Sequence, residues 1–234
     1  MTLSLQSRKG KLLLYVALVL APLELVRAQD LLNLNFAGTY RDKPKTSIVR
    51  NVTTGKISTP KHYTKLGNLV IALPGDAAMR HKYPELNKKQ SGFPQKREPE
   101  ELRNVEVDCW IHAVEFVDGR GNNAGDNEFH VILGSSPDTA KATYMTAEIS
   151  GLPASGKNRS PLKSARKAFL DMFPDQTLTS SFKRISPARK VKVKGSLFFD
   201  GDHRAGCETC PGPGWAKPET VWEIHPVYEI QVVH

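Results

Sequence analysis

Histidines and carboxylates occur together in three separate stretches of the sequence. The first stretch holds Asp126, Glu128 and His130, the second Asp200, Asp202 and His203, and the third Glu223 and His225. Imidazole and carboxylate groups together suit zinc and several other transition metals, and histidine also moves protons near neutral pH. If the fold brings the three stretches together, they predict a ligand-binding or metal-binding site. Its predicted members are Asp126, His130, Asp200, His203, Glu223 and His225.

Each histidine also has a simpler interpretation. His225 precedes Pro226, His203 stands in a turn, and His130 falls on the outward side of an alternating strand pattern. A histidine in such a place commonly makes one local hydrogen bond and has no further role. Convergence of the three stretches therefore decides between a shared site and three unrelated side chains.

Cys207 and Cys210 lie three residues apart in a loop that also contains several prolines and glycines. A disulfide is the favoured interpretation, because an exported chain usually meets an oxidising compartment. With His203 the two cysteines also make three of the four ligands that a structural zinc needs, and His225 or Asp202 would be the fourth. Free thiols are the third alternative.

Five runs of β-type residues predict strands, and one run predicts a helix. The predicted strands span residues 105–117, 128–136, 143–150, 190–200 and 221–233, and the helix spans 160–173. Ser160 can cap that helix, Pro161 suits its first position, and apolar residues then recur every three or four positions. Three strands, one helix and two strands is the element order of an OB-fold, a five-stranded and partly open barrel.

We therefore predict a mainly β, OB-fold-like domain over residues 101–234, with a small β-sandwich as the alternative. In an OB-fold the loop between strands 1 and 2 and the loop between strands 4 and 5 frame the usual ligand face. The three polar stretches stand at the ends of these two loops. The fold prediction thus also predicts that the stretches converge.

The N-terminal residues predict export. Residues 1–28 combine basic residues, an apolar run of about 12 residues and the sequence Val-Arg-Ala, which is typical of a cleaved secretory signal. A membrane-spanning helix needs roughly 20 apolar residues, so an uncleaved anchor is the weaker alternative. We expect a secreted or periplasmic protein whose mature chain has no transmembrane segment.

Residues 29–100 are predicted to form an irregular, proline-rich and basic arm. Their one strongly apolar run, at 66–74, suggests a strand. Residues 41–97 contain 13 lysines and arginines against three acidic residues, although the whole chain carries a net charge of only +9. Such a density of positive charge predicts attraction to an anionic polymer such as nucleic acid, cell-surface glycan or lipid headgroups. A solvated, extended segment is the alternative.

Three stretches of the domain resemble the signature motifs of a family of secreted bacterial proteins that has no established reaction. GDNEFHVIL resembles its D-x-x-x-H-x-x-L strand, GSLFFDGDH its G-x-x-F-F-D-x-x-H strand end, and WEIHPVYEI its E-L-H-P-V-x-x-I final strand. The resemblance covers about 130 residues and implies a secreted OB-like domain. The C-E-T-C segment departs from the glycine-rich stretch of that family, so the resemblance implies no role for the cysteines.

The sequence favours an exported OB-like binding module with a polar ligand face between loops 1–2 and 4–5. Its ligand is unknown, and an anionic polymer is the candidate. A divalent metal is a possible cofactor. The alternative is a metal-dependent phosphodiesterase or nuclease. In that case Asp126, Asp200 and Glu223 would hold metal, Arg120 or Arg204 would contact phosphate, and His130, His203 or His225 would transfer protons. The sequence contains no P-loop, no nucleophile elbow and no H-E-x-x-H motif.

Overall fold

Alternating apolar and polar residues build the strands of one mixed sheet. The computed structural model describes residues 28–38, 40–86, 94–120, 125–173, 178–203 and 207–233. The strands are β1 (Lys61–Tyr63), β2 (Asn104–Val117), β3 (Glu128–Gly134), β4 (Tyr144–Ile149), β5 (Lys183–Phe199) and β6 (Trp222–Val232). The helices are α1 (Ala28–Leu32), α2 (Asp42–Lys45), α3 (Leu66–Ile71), α4 (Asp76–Lys82) and α5 (Arg159–Asp171), with 3-10 turns at Pro84–Leu86 and Pro99–Glu101.

Five of the strands close into a ring. β2 pairs with β3, β3 with β4 and β5 with β6 in antiparallel fashion, β4 runs parallel to β6, and β5 returns to β2. The short strand β1 lies parallel to β2. The predicted mainly β class is confirmed, and the five predicted strands and the helix are all present. Strand β5 begins seven residues before its predicted start.

A bulge in β2 changes which side chains face the interior of the ring. Val107, Ile111 and their alternating neighbours point into the main core, as the sequence pattern predicts. The pairing register then shifts between Ile111 and Ala113, so that Val114 faces the core and Ala113 packs in a separate cluster outside it. A β-bulge inserts one extra residue and so reverses the alternation beyond it. The bulge consequently places Glu115 on the outer face.

Helix α5 is held against the ring by aromatic packing and by one buried arginine. The ring of Phe169 lies 5.1 Å from that of Phe129 on β3. Arg166 is fully buried and donates to the backbone carbonyls of Leu31, Ile149 and Ser150. These bonds give the buried guanidinium backbone partners, as a buried charge requires. The helix therefore connects β4 to β5 as a fixed part of the core.

The run at 66–74 forms a helix, so the predicted strand there is wrong. Leu66 and Leu69 are buried, three residues apart, whereas Ile71 is 84% exposed. Spacing of three residues is helical, while a strand would place Leu69 and Ile71 on the same face. Leu66, Leu69, Met79 and Leu86 belong to the same core as the ring strands.

The paired positions on α3 give a direct test of this packing. We expect Leu69→Ala to lower the free energy of unfolding by about 2–3 kcal/mol, because it leaves a cavity in the core. Ile71→Ala on the same helix is the matched control and should change it by less than about 0.5 kcal/mol. Urea unfolding followed by tryptophan fluorescence measures both. Equal, small effects would show that α3 does not pack as described.

The predicted secretory signal lies outside the described residues, except for Ala28. It stays a prediction, as does the boundary near residue 100 between arm and domain. No helix within the described ranges is both long and apolar enough to cross a membrane.

Candidate metal-binding site

The strand register places acidic and imidazole side chains in one row on the outer face of the ring. His130 on β3 stands opposite Glu115 on β2 and opposite Glu148 on β4. Strand β6 runs beside β4 and adds Glu223 and His225 to the same face. The residues between these positions point into the core. The row therefore follows directly from strand alternation combined with pairing.

The six predicted site residues come together in this region. A cavity of about 490 Å³ lies between the loop after β2, the loop after β5 and the N-terminal segment. Its polar lining comprises Tyr40, Lys45, Asp126, Glu128, His130, Glu148, Asp200, Asp202 and His203. Glu223 and His225 are buried beside it, within 4.8 Å of other members of the cluster.

Three overlapping groups of side chains have ligand-type atoms within 4.8 Å of one another. We call them the His130 set (Glu128, His130 and Glu148), the inner set (Glu148, Glu223 and His225) and the outer set (Asp200, His203 and Glu223). Glu148 belongs to the first two sets, and Glu223 belongs to the last two. Histidine and carboxylate ligands in such groups suit divalent transition metals.

Several polar atoms of the His130 set have partners within the protein, although Glu128 Oε2 and Glu148 Oε2 are buried without a hydrogen bond from the described residues. Nδ1 of His130 donates to Glu115 at 2.8 Å, and Nε2 lies 3.3 Å from Glu148 Oε1. The ammonium of Lys45 lies 3.1 Å from Asp126 Oδ2 and 3.7 Å from Glu128 Oε1. Positive and negative groups thus alternate in this part of the cluster, as buried ionised groups require.

The inner set contains polar atoms without hydrogen bonds. His225 and Glu223 are 0% and 1% exposed. Among the described residues, neither ring nitrogen of His225 and neither carboxylate oxygen of Glu223 has a hydrogen-bond partner. Nδ1 of His225 lies 2.5 Å from Glu148 Oε2 and 3.5 Å from Glu223 Oε2, and Nε2 lies 3.4 Å from Glu128 Oε2, but these contacts lack hydrogen-bond alignment. Buried polar groups are nearly always hydrogen-bonded, so such atoms need an explanation.

The outer set lies at the edge of the cavity, where β5 ends. Nε2 of His203 is 3.6 Å from Asp200 Oδ2, and the backbone amide of Asp202 donates to Asp200 Oδ1 at 2.9 Å. The His203 side chain is 22% exposed, in contrast with the fully enclosed His225. The outer set therefore reaches solvent through the cavity.

The acids of the cluster have opposite pKa shifts, because burial and neighbouring charges act on them to different extents. Burial raises the pKa of Glu223 well above its ordinary value, and Glu148 raises it further. Burial also opposes ionisation of Glu148, but the neighbouring side chains of His225, Lys45 and His130 hold its pKa well below the usual range. Burial alone would lower the pKa of His130, yet Glu148 and hydrogen bonds to other carboxylates raise it to about 10. The cluster thus contains both a readily ionised and a reluctantly ionised carboxyl.

The N-terminal segment covers the cluster and supplies Lys45. Gly38 allows the close approach, because a Cβ there would lie 2.1 Å from an oxygen of Asp126. Arg41 is fully buried and forms a two-point ion pair with Glu101, at 2.8 and 2.7 Å. Arg97 donates to the carbonyls of Pro44, Ser47, Leu197 and His225. Four separate parts of the chain are therefore fixed around the site.

Glu128 stands in the first polar stretch but was not among the predicted site residues, and three further members of the cluster were not singled out from the sequence at all. Glu148 lies in the predicted third strand, where alternation puts it outward, and its pairing with His130 was the available signal. Glu115 faces the site only because of the bulge in β2. Lys45 comes from the irregular segment, in which no periodic pattern marks it.

The remaining predicted residues lie apart from the cluster or outside the described residues. Arg120 is paired with Asp118 at 2.8 Å and does not line the cavity. Arg204 lies outside the described residues. Cys207 and Cys210 form a disulfide, which confirms the favoured interpretation. The alternatives of free thiols and of cysteine ligands for zinc are therefore wrong for this pair.

Comparison with known proteins adds no relative. Neither the protein-family models, nor the curated proteins, nor the solved structures include a match to this chain.

Proposed function

We propose that the chain is an exported binding module of OB-fold type that holds a divalent transition-metal cation. The ring order β2-β3-β4-β6-β5, the parallel pairing of β4 with β6 and the position of α5 between β4 and β5 support the OB-fold. The disulfide is consistent with an oxidising compartment outside the cytoplasm. The cavity between the loops after β2 and β5 supports the same assignment, because OB-folds commonly bind ligands between the equivalent loops.

The observation that carries the proposal is the inner set. Glu223 and His225 bring four buried oxygen and nitrogen atoms to one place without hydrogen bonds from the described residues. Leaving such atoms unpaired is costly, whereas coordination to a cation would satisfy them. A mixture of imidazole and carboxylate favours zinc, manganese or a similar ion over calcium or magnesium.

The charge of the cavity supports a cationic ligand. Five acidic residues line it, Asp126, Glu128, Glu148, Asp200 and Asp202, and Lys45 is the one lysine among the lining residues. An anionic polymer would be repelled by this lining unless cations were already bound. The predicted contact with such a polymer is therefore better placed on the exposed lysines of the N-terminal segment, such as Lys43, Lys56 and Lys65.

Metal binding by a histidine variant tests the proposal. We expect the protein, freed of metal with chelator, to bind Zn²⁺ or Mn²⁺ tightly in isothermal titration calorimetry. His225→Ala should weaken that binding at least about 100-fold, since loss of even an indirect contact to a metal ligand costs 10–100-fold.

His62→Ala is the matched control. His62, which lies in β1, is also beside two carboxylates, Glu106 at 2.9 Å and Asp108 at 3.9 Å, but its side chain is exposed. Its replacement should leave the affinity unchanged. Unchanged affinity in His225→Ala, or equal losses in both variants, would refute the inner set as the site.

A metal-dependent phosphodiesterase or nuclease is the second candidate. It is favoured by the open cavity beside the candidate ligands, which would admit a phosphate ester to a bound ion. Arg120 does not support it, because this side chain is paired with Asp118 away from the cavity lining. Plasmid degradation that chelator abolishes, and that His225→Ala lacks, would distinguish this enzyme from a binding module.

A further inference from the structure

Glu223 is shared between the inner set and the outer set. In each set the ligand-type atoms lie within 4.8 Å of one another, and the two sets have no other member in common. Both oxygens of Glu223 are buried and lack hydrogen bonds from the described residues. A carboxylate with two unbonded oxygens between two groups of ligands is suited to bridge two metal ions.

We propose that Glu223 bridges two divalent cations, one in the inner set and one in the outer set, and that the outer cation binds a phosphate or phosphate ester from the cavity. This inference rests on the proposed function, because it presupposes the cation of the inner set. It adds a second ion, held by Asp200 and His203, and a class of ligand.

The His130 set does not take part as a third cation site. Nδ1 of His130 donates a hydrogen bond to Glu115 at 2.8 Å, whereas neither ring nitrogen of His225 has a hydrogen bond from the described residues. Glu128 is additionally close to Lys45. This set instead neutralises part of the charge around the two cations.

The positions of the two sets give the two cations different surroundings. His225 and Glu223 are enclosed and do not line the cavity, so Glu148 is the one member of the inner set at the lining. Asp200 and His203 both line it. A cation with three protein ligands beside an open cavity keeps a coordination position for an external oxygen, whereas an enclosed cation has a structural role. The outer cation is therefore the one that meets an external ligand.

The ligand class follows from the coordination position that the outer cation leaves open. The lining is acidic without cations, but two divalent ions would offset this charge, and the outer cation could then bind a phosphate oxygen directly. The cavity volume of about 490 Å³ is within the range of small-molecule sites.

Metal stoichiometry tests the second cation. Protein equilibrated with Mn²⁺ and freed of excess ion should contain two ions per chain by inductively coupled plasma mass spectrometry. His203→Ala and Asp200→Asn should each contain one. His62→Ala should keep two, and circular dichroism establishes that every variant is folded.

The possible outcomes separate this inference from the proposed function. One ion in the wild type, unchanged in His203→Ala, would overturn the second cation and leave the inner set standing. No ion in the wild type would overturn both. Two ions retained in both His203→Ala and Asp200→Asn would overturn the assignment of the outer set. Should one variant fail to fold, the other still decides.

Phosphate binding tests the ligand class. We expect inorganic phosphate to bind the Mn²⁺-loaded wild type and to bind His203→Ala at least tenfold more weakly under the same conditions. Chelator should abolish the binding. Phosphate binding that is the same with and without Mn²⁺, or no binding to protein that holds two ions, would overturn the proposed ligand.

Discussion

Replacing Glu223 by glutamine is expected to stabilise the metal-free protein and to remove the stability that a bound cation adds. Ionised Glu223 is buried next to Glu148 and Asp200, so burial and then these carboxylates raise its pKa well above the ordinary 4.5. The uncharged amide avoids this cost. Because Glu223 belongs to both ligand sets, its loss should also disrupt cation binding. The two effects have opposite signs and can be measured on the same protein.

The dependence of stability on pH separates the effect of burying a charge from the effect of losing the cation. A carboxyl whose pKa is raised on folding contributes stability that is complete below about pH 4.5 and is lost as pH rises towards the folded pKa. In chelator at pH 8, the free energy of unfolding of Glu223→Gln should therefore exceed that of the wild type by about 1 kcal/mol or more. A tenfold change in a protonation equilibrium corresponds to about 1.4 kcal/mol. At pH 4 the two should agree closely. Mn²⁺ at a hundred times its Kd should stabilise only the wild type, by about 2.7 kcal/mol.

Glu229→Gln provides the control for both measurements. Glu229 lies on the same strand, is 48% exposed and pairs with Lys194 at 2.9 Å. Its replacement should change stability by less than about 0.5 kcal/mol and should leave the response to Mn²⁺ intact. Urea unfolding at the two pH values gives all the required quantities. An equal response to Mn²⁺ in Glu223→Gln and the wild type would contradict the assignment of Glu223 as a ligand.

Arg41→Met should cause the largest loss of stability, about 3–5 kcal/mol. Arg41 and Glu101 are both 0% exposed and are joined by two hydrogen bonds. Removing one partner of a buried ion pair leaves the other charge uncompensated, and that is the main source of the loss. Methionine keeps much of the side-chain length, so the lost packing is small. The free energy of unfolding in urea measures the change.

Two comparisons establish the cause. Arg50→Met removes an arginine whose bonds to Gly55 and Lys157 are exposed, and it should cost less than about 1 kcal/mol. The double variant Arg41→Met with Glu101→Leu should regain part of the loss, because no buried charge is left unpaired. A loss below about 1 kcal/mol in Arg41→Met would show that the pair is not buried as described.

The strands and the main helix were predictable from the sequence because their signals are local. Alternation marked β2 up to Ile111, and the spacing of apolar residues marked α5. The predicted cap at Ser160 is wrong, because the helix begins at Arg159 with Asn158 at its N-cap and has no side-chain cap hydrogen bond. The bulge after Ile111 was not predictable, since it depends on pairing with both β3 and β5. The helix α3 was mistaken for a strand because its short apolar run has little periodicity, and its burial on the core decided its conformation.

The convergence of the histidines was predictable only through the fold. His130, His203 and His225 were brought together by assuming an OB-fold-like order of strands, and the described strand pairing brings them into one cluster. Glu148 and Lys45 depend on strand register and on a segment without periodicity, so no local pattern indicated them. Which buried atoms lack hydrogen bonds can be known only from coordinates.

Arg97 has a consequence for the order in which the protein becomes functional. Its guanidinium donates hydrogen bonds to the carbonyls of Pro44 and Ser47 and also to the carbonyl of His225. His225 lies 128 residues after Arg97 in the chain. Contacts so distant in sequence can form only after both segments have been synthesised, and closing such a long loop is slow. Under the proposed function, the ligands of the cation would therefore be assembled only once the chain from Pro44 to His225 can fold as one unit.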